Sequence, residues 1–226
     1  MPSPFDPARA LPDPLPPSPF PTLIAWFDEA HKLGAQPNPN AMTVATSVDG
    51  LPAARVVLCR GIDPDAGSFT FFTNRTSDKG RSLSQNPRAA VLFHWDHLEL
   101  QVRAQGHVVE SDDAESDAYW HKRRDASKLA AWASDQSAPV ASRDELAAKL
   151  RTVCERLGID PADPVPTSPI PRPPHWGGYR LHAERVELWA GSDARFHDRA
   201  AWTRTLTPRP AGGFDASAWS STRLQP

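Results

Sequence analysis

Residues 187–202, ELWAGSDARFHDRAAW, carry three basic side chains at a spacing of two: Arg195, His197 and Arg199. In an extended chain alternate residues point to the same side. These three would then form one positively charged face, with Phe196 on the opposite face. Such a face is typical of an anion-binding or catalytic surface. The same alternation is also typical of the solvated outer face of an edge strand.

Residues 71–82, FFTNRTSDKGRS, combine hydroxyl groups with cations. Hydroxyls, free backbone N–H groups and positive charge at a helix start are the groups that bind phosphate. The stretch therefore predicts a phosphate cradle, although a solvated turn has the same composition. The side chains that would form the cradle are Thr73, Asn74, Arg75, Thr76, Ser77, Lys79 and Arg81.

Residues 119–127, YWHKRRDAS, place Tyr119, Arg123 and Ser127 four residues apart. In a continuous helix these three side chains share one face. A guanidinium between two hydroxyls suits a phosphate dianion. A salt-bridged helix surface is the alternative. The following DQS, at 135–137, is typical of a polar turn.

Two predicted strands carry polar residues among apolar ones. The first, RVVLCR, begins at Arg55 and ends at Arg60, which face opposite sides of a sheet unless a bulge intervenes. One sheet would then serve two different anions, or the arginines simply bracket the strand. The second, LELQVRAQ at 98–105, alternates strictly and places Gln101 on its polar face. A glutamine there offers a donor and an acceptor to a heterocycle edge, or it faces solvent.

The composition limits the classes of partner. The net charge is −2 over 226 residues, which argues against a general nucleic-acid or membrane-surface partner. Any bound anion is then small and its site is local. The two cysteines, Cys59 and Cys154, lie in apolar patterns typical of buried free thiols in a reducing compartment. The N-terminus has no signal pattern and no apolar run approaches roughly 18 residues, so we expect a soluble cytoplasmic protein.

The elements that must position these residues follow from hydrophobic periodicity. Residues 20–33 predict an amphipathic helix, and Asp49-Gly50 predicts a hairpin turn. Ser142 and Glu145 form a capping box at the start of a helix over 143–157. Further strands are expected at 68–74, 88–95, 98–110, 178–191, 187–202 and 219–224, a short helix or turn at 76–87, and a helical block over 112–133. Strands in consecutive runs, without βαβ alternation, predict an α+β fold: an antiparallel barrel with helices outside.

Proline divides the chain. Nine prolines lie in residues 1–21 and seven in residues 161–174, and neither stretch favours regular structure. We therefore expect residues 1–19 to form a flexible N-terminal arm. Residues 20–226 are expected to form one domain that includes a Pro-rich connector at 160–174.

Taken together, these segments resemble the pyridoxine/pyridoxamine 5′-phosphate oxidase family, FMN enzymes of vitamin B6 salvage. The resemblance runs from about Phe20 to the C-terminus. Each motif is weak alone, and it is their order and spacing that are specific. The motifs are RVVLCR, FFTN, SDKG, NPRAAVLFHW, LELQV, YWHKR, AWASDQS, WGGYRL, ELW, RFHDR and the terminal RLQP.

The resemblance implies a homodimeric antiparallel split β-barrel with peripheral helices that binds FMN at the subunit interface. It implies oxidation of pyridoxine 5′-phosphate and pyridoxamine 5′-phosphate to pyridoxal 5′-phosphate, with O₂ as acceptor and H₂O₂ as product. It implies flavin contacts from Arg55, Val56, Val57, Leu58, Cys59, Arg60, Phe72, Thr73, Lys79, Gln101, Gln136, Ser137, Trp189 and Arg199. It implies substrate contacts from Arg60, Tyr119, Arg123, Ser127, Arg195, Phe196 and His197. Of these, Arg195 and His197 are the implied catalytic residues beside the pyridine ring.

Three positions depart from the family pattern. Arg60 stands where the family usually has lysine, and Phe72 where it has tyrosine. Asp78 stands where an arginine usually meets the FMN phosphate. Two other functions therefore stay open. One is an FMN oxidase of the same family acting on another ring, such as a phenazine precursor, and the other is a non-catalytic module that binds flavin or pyridoxal phosphate.

Overall fold

The structure is a computed structural model that describes residues 7–160, 166, 168–210 and 212–226. Within them five α-helices and eleven strands follow one another along the chain. The helices are α1 (Phe20–Leu33), α2 (Asp78–Gln85), α3 (Asp113–His121), α4 (Asp125–Ala133) and α5 (Arg143–Leu157). The strands are β1 (Ala41–Val48), β2 (Leu51–Leu58), β3 (Gly61–Asp63), β4 (Ser68–Asn74), β5 (Arg88–Trp95), β6 (Leu100–Glu110), β7 (Trp176–Ala190), β8 (Asp198–Thr203), β9 (Leu206–Pro208), β10 (Phe214–Ala216) and β11 (Ser220–Leu224).

Nine of the described strands form one sheet. Hydrogen-bonded neighbours follow the order β11–β8–β7–β6–β5–β1–β2, and β4 pairs with both β3 and β7. The pairs β1–β2, β1–β5, β5–β6, β7–β8 and β8–β11 are antiparallel. The predicted α+β fold class with an antiparallel sheet is confirmed.

The β1–β2 hairpin forms where the sequence predicts it. Asp49 and Gly50 have φ angles of 51° and 79°, and the register pairs Val48 with Leu51. Two consecutive left-handed residues match the right-handed twist of the flanking strands, which is why Asp-Gly is favoured at this turn. The hairpin sets which residues of β2 lie opposite β1.

The chain divides into two compact units. Met1–Phe71, Asn86–Val109 and Arg180–Pro226 form what we call the strand-rich unit, and Phe72–Gln85 and Glu110–Tyr179 form the helical unit. In the strand-rich unit, α1 buries Phe20, Leu23 and Trp26 on one face. The ring of Phe20 lies 5.8 Å from that of Phe69. Each large apolar side chain buried in this way contributes about 1.5–3 kcal/mol.

The helical unit has its own apolar core. Trp120 of α3, Leu129 of α4 and Val153 of α5 are buried together with Trp176 at the start of β7. The predicted cap of α5 is present, because Ser142 Oγ accepts the Glu145 N–H at 3.0 Å. The glutamate returns a bond to the chain just before the helix, where its carboxylate accepts the Ala141 N–H at 3.1 Å.

The helical block predicted over 112–133 is wrong as one continuous element. It consists of two helices, because α3 ends at His121 and α4 begins at Asp125. The Lys122 and Arg123 N–H groups close α3 with bonds to the carbonyls of Tyr119 and Trp120. Four consecutive polar residues, HKRR, supply no apolar side chain to continue the buried stripe. Tyr119, Arg123 and Ser127 therefore lie on no common helix face.

The continuous strand predicted over 187–202 is also wrong. Strand β7 ends at Ala190, a loop follows over 191–197, and β8 begins at Asp198. The Gly191 N–H donates to the Glu99 carbonyl at 2.8 Å, and a Cβ on Gly191 would lie 2.8 Å from Cβ of Glu99. This close approach fixes the end of the strand. Arg195 and His197 consequently lie in the loop, and only Arg199 lies in a strand.

Part of each Pro-rich segment lies outside the described residues, namely 1–6 of the arm and 161–165 and 167 of the connector. In the described part of the arm, Leu11 is buried and its N–H donates to Asp198 at 2.8 Å. In the described part of the connector, the indole N–H of Trp120 donates to the Ile170 carbonyl at 2.8 Å. The flexibility of the arm and the domain boundaries stay predictions.

Candidate functional site

A cavity of about 380 Å³ lies in the helical unit. Its lining combines one cationic side chain and several polar ones with aromatic rings, a combination that suits a small aromatic molecule with an anionic group. Six of its lining residues are Phe72, Thr73, Arg123, Ser127, Gln136 and Trp176. The first five were predicted from the sequence, and the structure brings them together. Trp176 was not predicted, because its WGG context reads only as the start of a strand.

The ammonium group of Lys79 is the buried cation beside this cavity. Lys79 is 7% exposed, and its Nζ donates to Gln136 Oε1 at 2.6 Å and to Thr73 Oγ1 and Ser77 Oγ at 3.0 Å. These three acceptors are hydroxyl and amide oxygens, and they orient the ammonium group. A buried positive charge of this kind complements an anionic ligand.

The chain before α2 forms a tight turn that is held by local hydrogen bonds. Asn74 Oδ1 accepts the Thr76 N–H at 2.8 Å, a local bond typical of asparagine at turns. Gly80 then packs against the backbone of Arg75, where a Cβ would lie 2.0 Å from the carbonyl oxygen. Only glycine fits at that position, so the sequence NRTSDKG fixes the approach of α2 to the turn that precedes it.

Asp78, which departs from the family pattern, is paired within its own helix. Its side chain is 63% exposed and forms an ion pair with Arg81, one turn further on. Arg75 contacts Glu110 at 3.0 Å instead. The Asp78 carboxylate is therefore paired with Arg81 and not with Arg75. The Asp78 N–H also donates to Ser137 Oγ at 3.3 Å.

Three aromatic rings form a stacked wall in the helical unit. The ring of Phe72 lies 4.2 Å from that of Tyr119 and 5.4 Å from that of Trp176, with interplanar angles of 12° and 10°. The Arg123 guanidinium carbon lies 4.9 Å from the Trp176 ring centre, within cation–π range. Arg123 also donates to the Ser127 carbonyl at 3.1 Å. The break between α3 and α4 thus places this guanidinium at the cavity.

In the strand-rich unit, β2 carries the predicted segment only from Arg55 to Leu58. The Arg55 guanidinium is fixed by Thr46 Oγ1 at 2.9 Å and by the Val44 and Ala53 carbonyls. Val56 is exposed, while Val57 and Leu58 are half-buried. Cys59 and Arg60 follow the end of the strand.

The thiol of Cys59 is buried and its pKa is raised to about 11, mainly by that burial. The Arg60 N–H donates to the Thr70 carbonyl at 2.8 Å. The predicted free thiols are present, since both Cys59 and Cys154 are buried and unpaired with each other.

Strands β6, β7 and β8 lie side by side, and their polar positions carry Gln101, Trp189 and Arg199. The register places Trp189 directly opposite Arg199. Glu187, two residues before Trp189, is 4% exposed and binds Arg199 at 2.8 Å. Sequence reasoning missed Glu187, although strand alternation places it on the same face as Trp189.

The loop over 191–197 carries the predicted catalytic pair. Arg195 has a φ of 60°, which is uncommon for a residue other than glycine, and its side chain is exposed. The His197 ring lies 4.5 Å from that of Trp189, and its Nδ1 accepts the Ser192 N–H at 3.2 Å. The neutral ring then carries its proton on Nε2 and presents a donor there. Phe196 is 62% exposed.

The described residues fit FMN on two structural grounds. Lys79 is a buried cation at the start of α2, oriented by amide and hydroxyl oxygens, and a cation placed in this way suits a phosphate group. Arg199 Nε is a buried donor with no hydrogen-bond partner among the described residues. Within those same residues, no helix is long and apolar enough to cross a membrane, and no group of His, Cys, Asp and Glu side chains is arranged to hold a metal ion.

The antiparallel sheet, the five helices of the described residues and these cationic clusters are features of the FMN-binding split-barrel proteins. Residues 28–155 match the profile of the family described as pyridoxamine 5′-phosphate oxidase. Residues 176–226 match the profile described as the pyridoxine 5′-phosphate oxidase C-terminal dimerisation region. The chain belongs to the pyridoxamine 5′-phosphate oxidase family.

Curated relatives agree with this assignment. A pyridoxine/pyridoxamine 5′-phosphate oxidase of Cupriavidus metallidurans is 46% identical over 93% of this chain and 90% of the relative. One of Burkholderia orbicola is 44% identical over 98% of this chain and 93% of the relative.

Among solved structures, PhzG from Burkholderia lata in complex with tetrahydrophenazine-1-carboxylic acid is 30% identical, with a TM-score of 0.78 over 93% of this chain and 94% of that one. An FMN-binding protein of Nostoc punctiforme has a TM-score of 0.65 over 92% of this chain and 98% of that one. At 20% identity, the second structure supports the fold alone.

Proposed function

We propose that the protein oxidises pyridoxine 5′-phosphate and pyridoxamine 5′-phosphate to pyridoxal 5′-phosphate. The redox chemistry is that of bound FMN, through which two electrons pass from C4′ of the substrate to O₂. The alcohol loses two hydrogen atoms, which appear in H₂O₂. The amine loses the same two and then exchanges its nitrogen with water, which releases ammonia. The observation that carries the proposal is the cavity lined by Arg123, Ser127 and Gln136, beside the buried Lys79.

We assign the binding of FMN to two groups of residues. Lys79, with Thr73, Gln136 and the Ser137 turn, supplies a cation and polar groups for the FMN phosphate. Arg55, Gln101 and Arg199 supply donors for the polar atoms of the flavin. The complete proposed set is Arg55, Val56, Val57, Leu58, Cys59, Arg60, Phe72, Thr73, Lys79, Gln101, Gln136, Ser137, Trp189 and Arg199.

We assign the substrate phosphate to Arg123, Ser127 and Tyr119, with Arg60 as a further cation. The guanidinium of Arg123 is restrained by Trp176 and by the Ser127 carbonyl. A restrained cation binds a dianion with less loss of side-chain entropy than a mobile one. Fixing the phosphate, which is remote from C4′, orients the reacting carbon.

We assign the reacting end of the substrate to Arg195, Phe196 and His197. In its neutral form His197 donates from Nε2, because Nδ1 is occupied by the Ser192 N–H. It therefore holds a proton facing away from Ser192 and suits an oxygen substituent of the pyridine ring. Arg195 brings a mobile positive charge, as its side chain is exposed.

We further propose that the protein is a cytoplasmic homodimer with FMN at the subunit interface. The match of residues 176–226 to a dimerisation region supports the dimer. Two buried free thiols are in keeping with a reducing compartment.

The visible absorption spectrum of the purified protein tests the function. A flavin spectrum that bleaches on anaerobic addition of pyridoxamine 5′-phosphate, and returns with air as pyridoxal 5′-phosphate forms, is expected. A protein that does not bind added FMN would refute the proposal. One that binds FMN but is not bleached would be the non-catalytic module.

A second candidate is an FMN oxidase acting on another ring. Its support is the 30% identity to PhzG, whose structure contains a tetrahydrophenazine carboxylic acid. The phosphate-binding set at Arg123 and Ser127 favours the first candidate, because a phenazine carboxylate carries no phosphate. Bleaching by a dihydrophenazine acid but not by pyridoxamine 5′-phosphate would establish the second.

A further inference from the structure

Glu187 of β7 is a buried carboxylate surrounded by three arginines. Its Oε1 lies 2.8 Å from Arg199 on β8, and its Oε2 lies 3.5 Å from Arg103 on β6 and 3.6 Å from Arg185 on its own strand. The carboxylate side chain is 5% exposed, while the three arginines are 26–43% exposed. A buried carboxylate is strongly unfavourable unless it is paired and hydrogen-bonded. The cluster is therefore a built arrangement centred on Glu187.

Glu187 and the backbone carbonyl of Gln225 together fix the guanidinium of Arg199. One terminal nitrogen, Nη2, donates to Glu187, and the other, Nη1, donates to the Gln225 carbonyl at 2.9 Å. Nε has no hydrogen-bond partner among the described residues. The two terminal nitrogens consequently determine where the guanidinium lies. A long arginine side chain without such bonds samples many rotamers and loses that conformational freedom when it is later immobilised.

The neighbouring charges make the carboxylate essential to this placement. Arg103 and Arg185 contact the same carboxylate as Arg199, so without it three guanidinium groups would repel one another across the three strands. Arg199 is the member of the cluster that lies opposite Trp189. Loss of the carboxylate would thus displace the arginine that we assign to FMN.

We propose that Glu187 is a positioning residue that holds Arg199 in place for the flavin. The proposal rests on the proposed function, in which Arg199 contacts FMN. Glu187 acts through Arg199 and touches neither cofactor nor substrate. Its removal therefore weakens FMN binding only as long as Arg199 is present.

Glu184 provides the matched control. It lies three residues earlier on β7 and pairs with Arg88 and His107, not with Arg199. Glu184→Gln and Glu187→Gln make the same chemical change on the same strand. Only the second removes the anchor of Arg199.

The test is a double-mutant cycle on FMN affinity. The full-length holoprotein and its Glu187→Gln, Arg199→Ala, doubly substituted and Glu184→Gln variants are stripped of FMN and titrated with FMN, using flavin fluorescence to obtain Kd. Thermal unfolding of the FMN-free forms is measured in parallel. Glu187→Gln is expected to raise Kd about tenfold, the effect of one charged hydrogen bond, and Glu184→Gln to leave it unchanged.

The double variant decides between a positioning role and a structural one. With Arg199→Ala already present, adding Glu187→Gln is expected to change Kd by less than about twofold, because the two residues act as one unit. The proposal would be overturned if Glu187→Gln raised Kd in the Arg199→Ala background as much as it does in the wild-type background. It would also be overturned if Glu187→Gln and Glu184→Gln raised the Kd of the otherwise wild-type protein equally. If Arg199→Ala itself leaves Kd unchanged, the failure lies in the flavin contact assigned to Arg199.

Discussion

Lys79 Nζ donates a hydrogen bond to Gln136 Oε1 over 2.6 Å, and this bond ties the start of α2 to the turn after α4. The bond brings together two segments that lie 57 residues apart in the sequence. Amide and hydroxyl oxygens orient a buried ammonium group and carry no net charge themselves. The hydrogen bond between Lys79 and Gln136 therefore holds a cation beside the cavity, which is why we assign an anion to that place.

Lys79→Met should weaken FMN binding at least about tenfold, because it removes one charged hydrogen bond to the phosphate and its Coulomb attraction. The change is nearly isosteric and takes a charge out of a buried place, so the FMN-free protein should stay folded. Fluorescence titration with FMN gives the affinity. Lys128→Met is the control, since Lys128 is also buried but pairs with Asp125 at 2.8 Å. Equal losses in the two variants would contradict the assignment of Lys79.

The pair formed by Asp78 and Arg81 predicts opposite effects of two substitutions. Asp78→Asn removes a carboxylate and should tighten FMN binding, whereas Arg81→Gln leaves that carboxylate unpaired and should weaken it. Both side chains are more than half exposed, so each change should be about threefold or less and should fall with added salt. FMN titrations at low and high ionic strength measure it. Changes of the same sign in both variants would show that the pair does not act on the anion.

Local patterns predicted most elements of the fold. Helix α1 and strand β5 were expected at 20–33 and 88–95 and occur at those residues. Their periods are clean because one face of each packs on the core. The cap of α5 was predictable for a similar reason, as its bonds join neighbouring residues. These features depend on interactions within one element.

The errors arose where distant contacts decide the local structure. The alternation of residues over 187–202 led to the prediction of a continuous strand, despite the turn signal of Gly-Ser-Asp. In the structure, the close approach of Gly191 to Glu99 ends β7. Glu187 was not predicted as a functional residue, because its partners are arginines on β6 and β8 that the sequence does not place beside it. Spacing along a chain cannot reveal a charge cluster that is built across three strands.

The buried thiol of Cys59 predicts a loss of stability at alkaline pH. Its pKa is raised from 9.0 to about 11 in the folded state, so the folded chain holds this proton after the unfolded chain has released it. The stabilising contribution is complete below pH 9 and is lost as the pH rises through 11. It amounts to about 2–3 kcal/mol at most. Chemical denaturation between pH 8 and pH 11 should therefore show a shallower decline for Cys59→Ala than for the wild type, and parallel curves would contradict the assignment.

The two arginines that flank His197 should differ in function. Arg195 lies in the exposed loop, so Arg195→Ala should slow anaerobic reduction of the bound flavin by pyridoxamine 5′-phosphate without weakening FMN binding much. Arg199 is fixed in β8, so Arg199→Ala should weaken FMN binding about tenfold or more. Once this variant is saturated with FMN, the substrate should reduce its flavin at the normal rate. Single-turnover reduction, combined with FMN titration, separates chemistry from cofactor loss. If both variants bound FMN equally weakly and their bound flavin were reduced at the normal rate, both arginines would contact the flavin alone.

Arg123 should determine the affinity for phosphorylated substrate. Arg123→Lys keeps the charge but loses the planar contact with the Trp176 ring and the donor fork that reaches Ser127. KM for pyridoxamine 5′-phosphate should rise about tenfold, in line with the loss of one charged hydrogen bond, while FMN affinity stays unchanged. Arg124→Lys, at an exposed neighbouring position in the same link between helices, is the control.

The unphosphorylated amine completes this test of Arg123. Pyridoxamine has no phosphate to bind, so Arg123→Lys and the wild type should oxidise it with the same kcat/KM. The ratio of kcat/KM for the two substrates then isolates the phosphate contact from any general disturbance of the cavity. If Arg123→Lys slowed both substrates equally, Arg123 would support the aromatic wall of Phe72, Tyr119 and Trp176 and would not bind the phosphate.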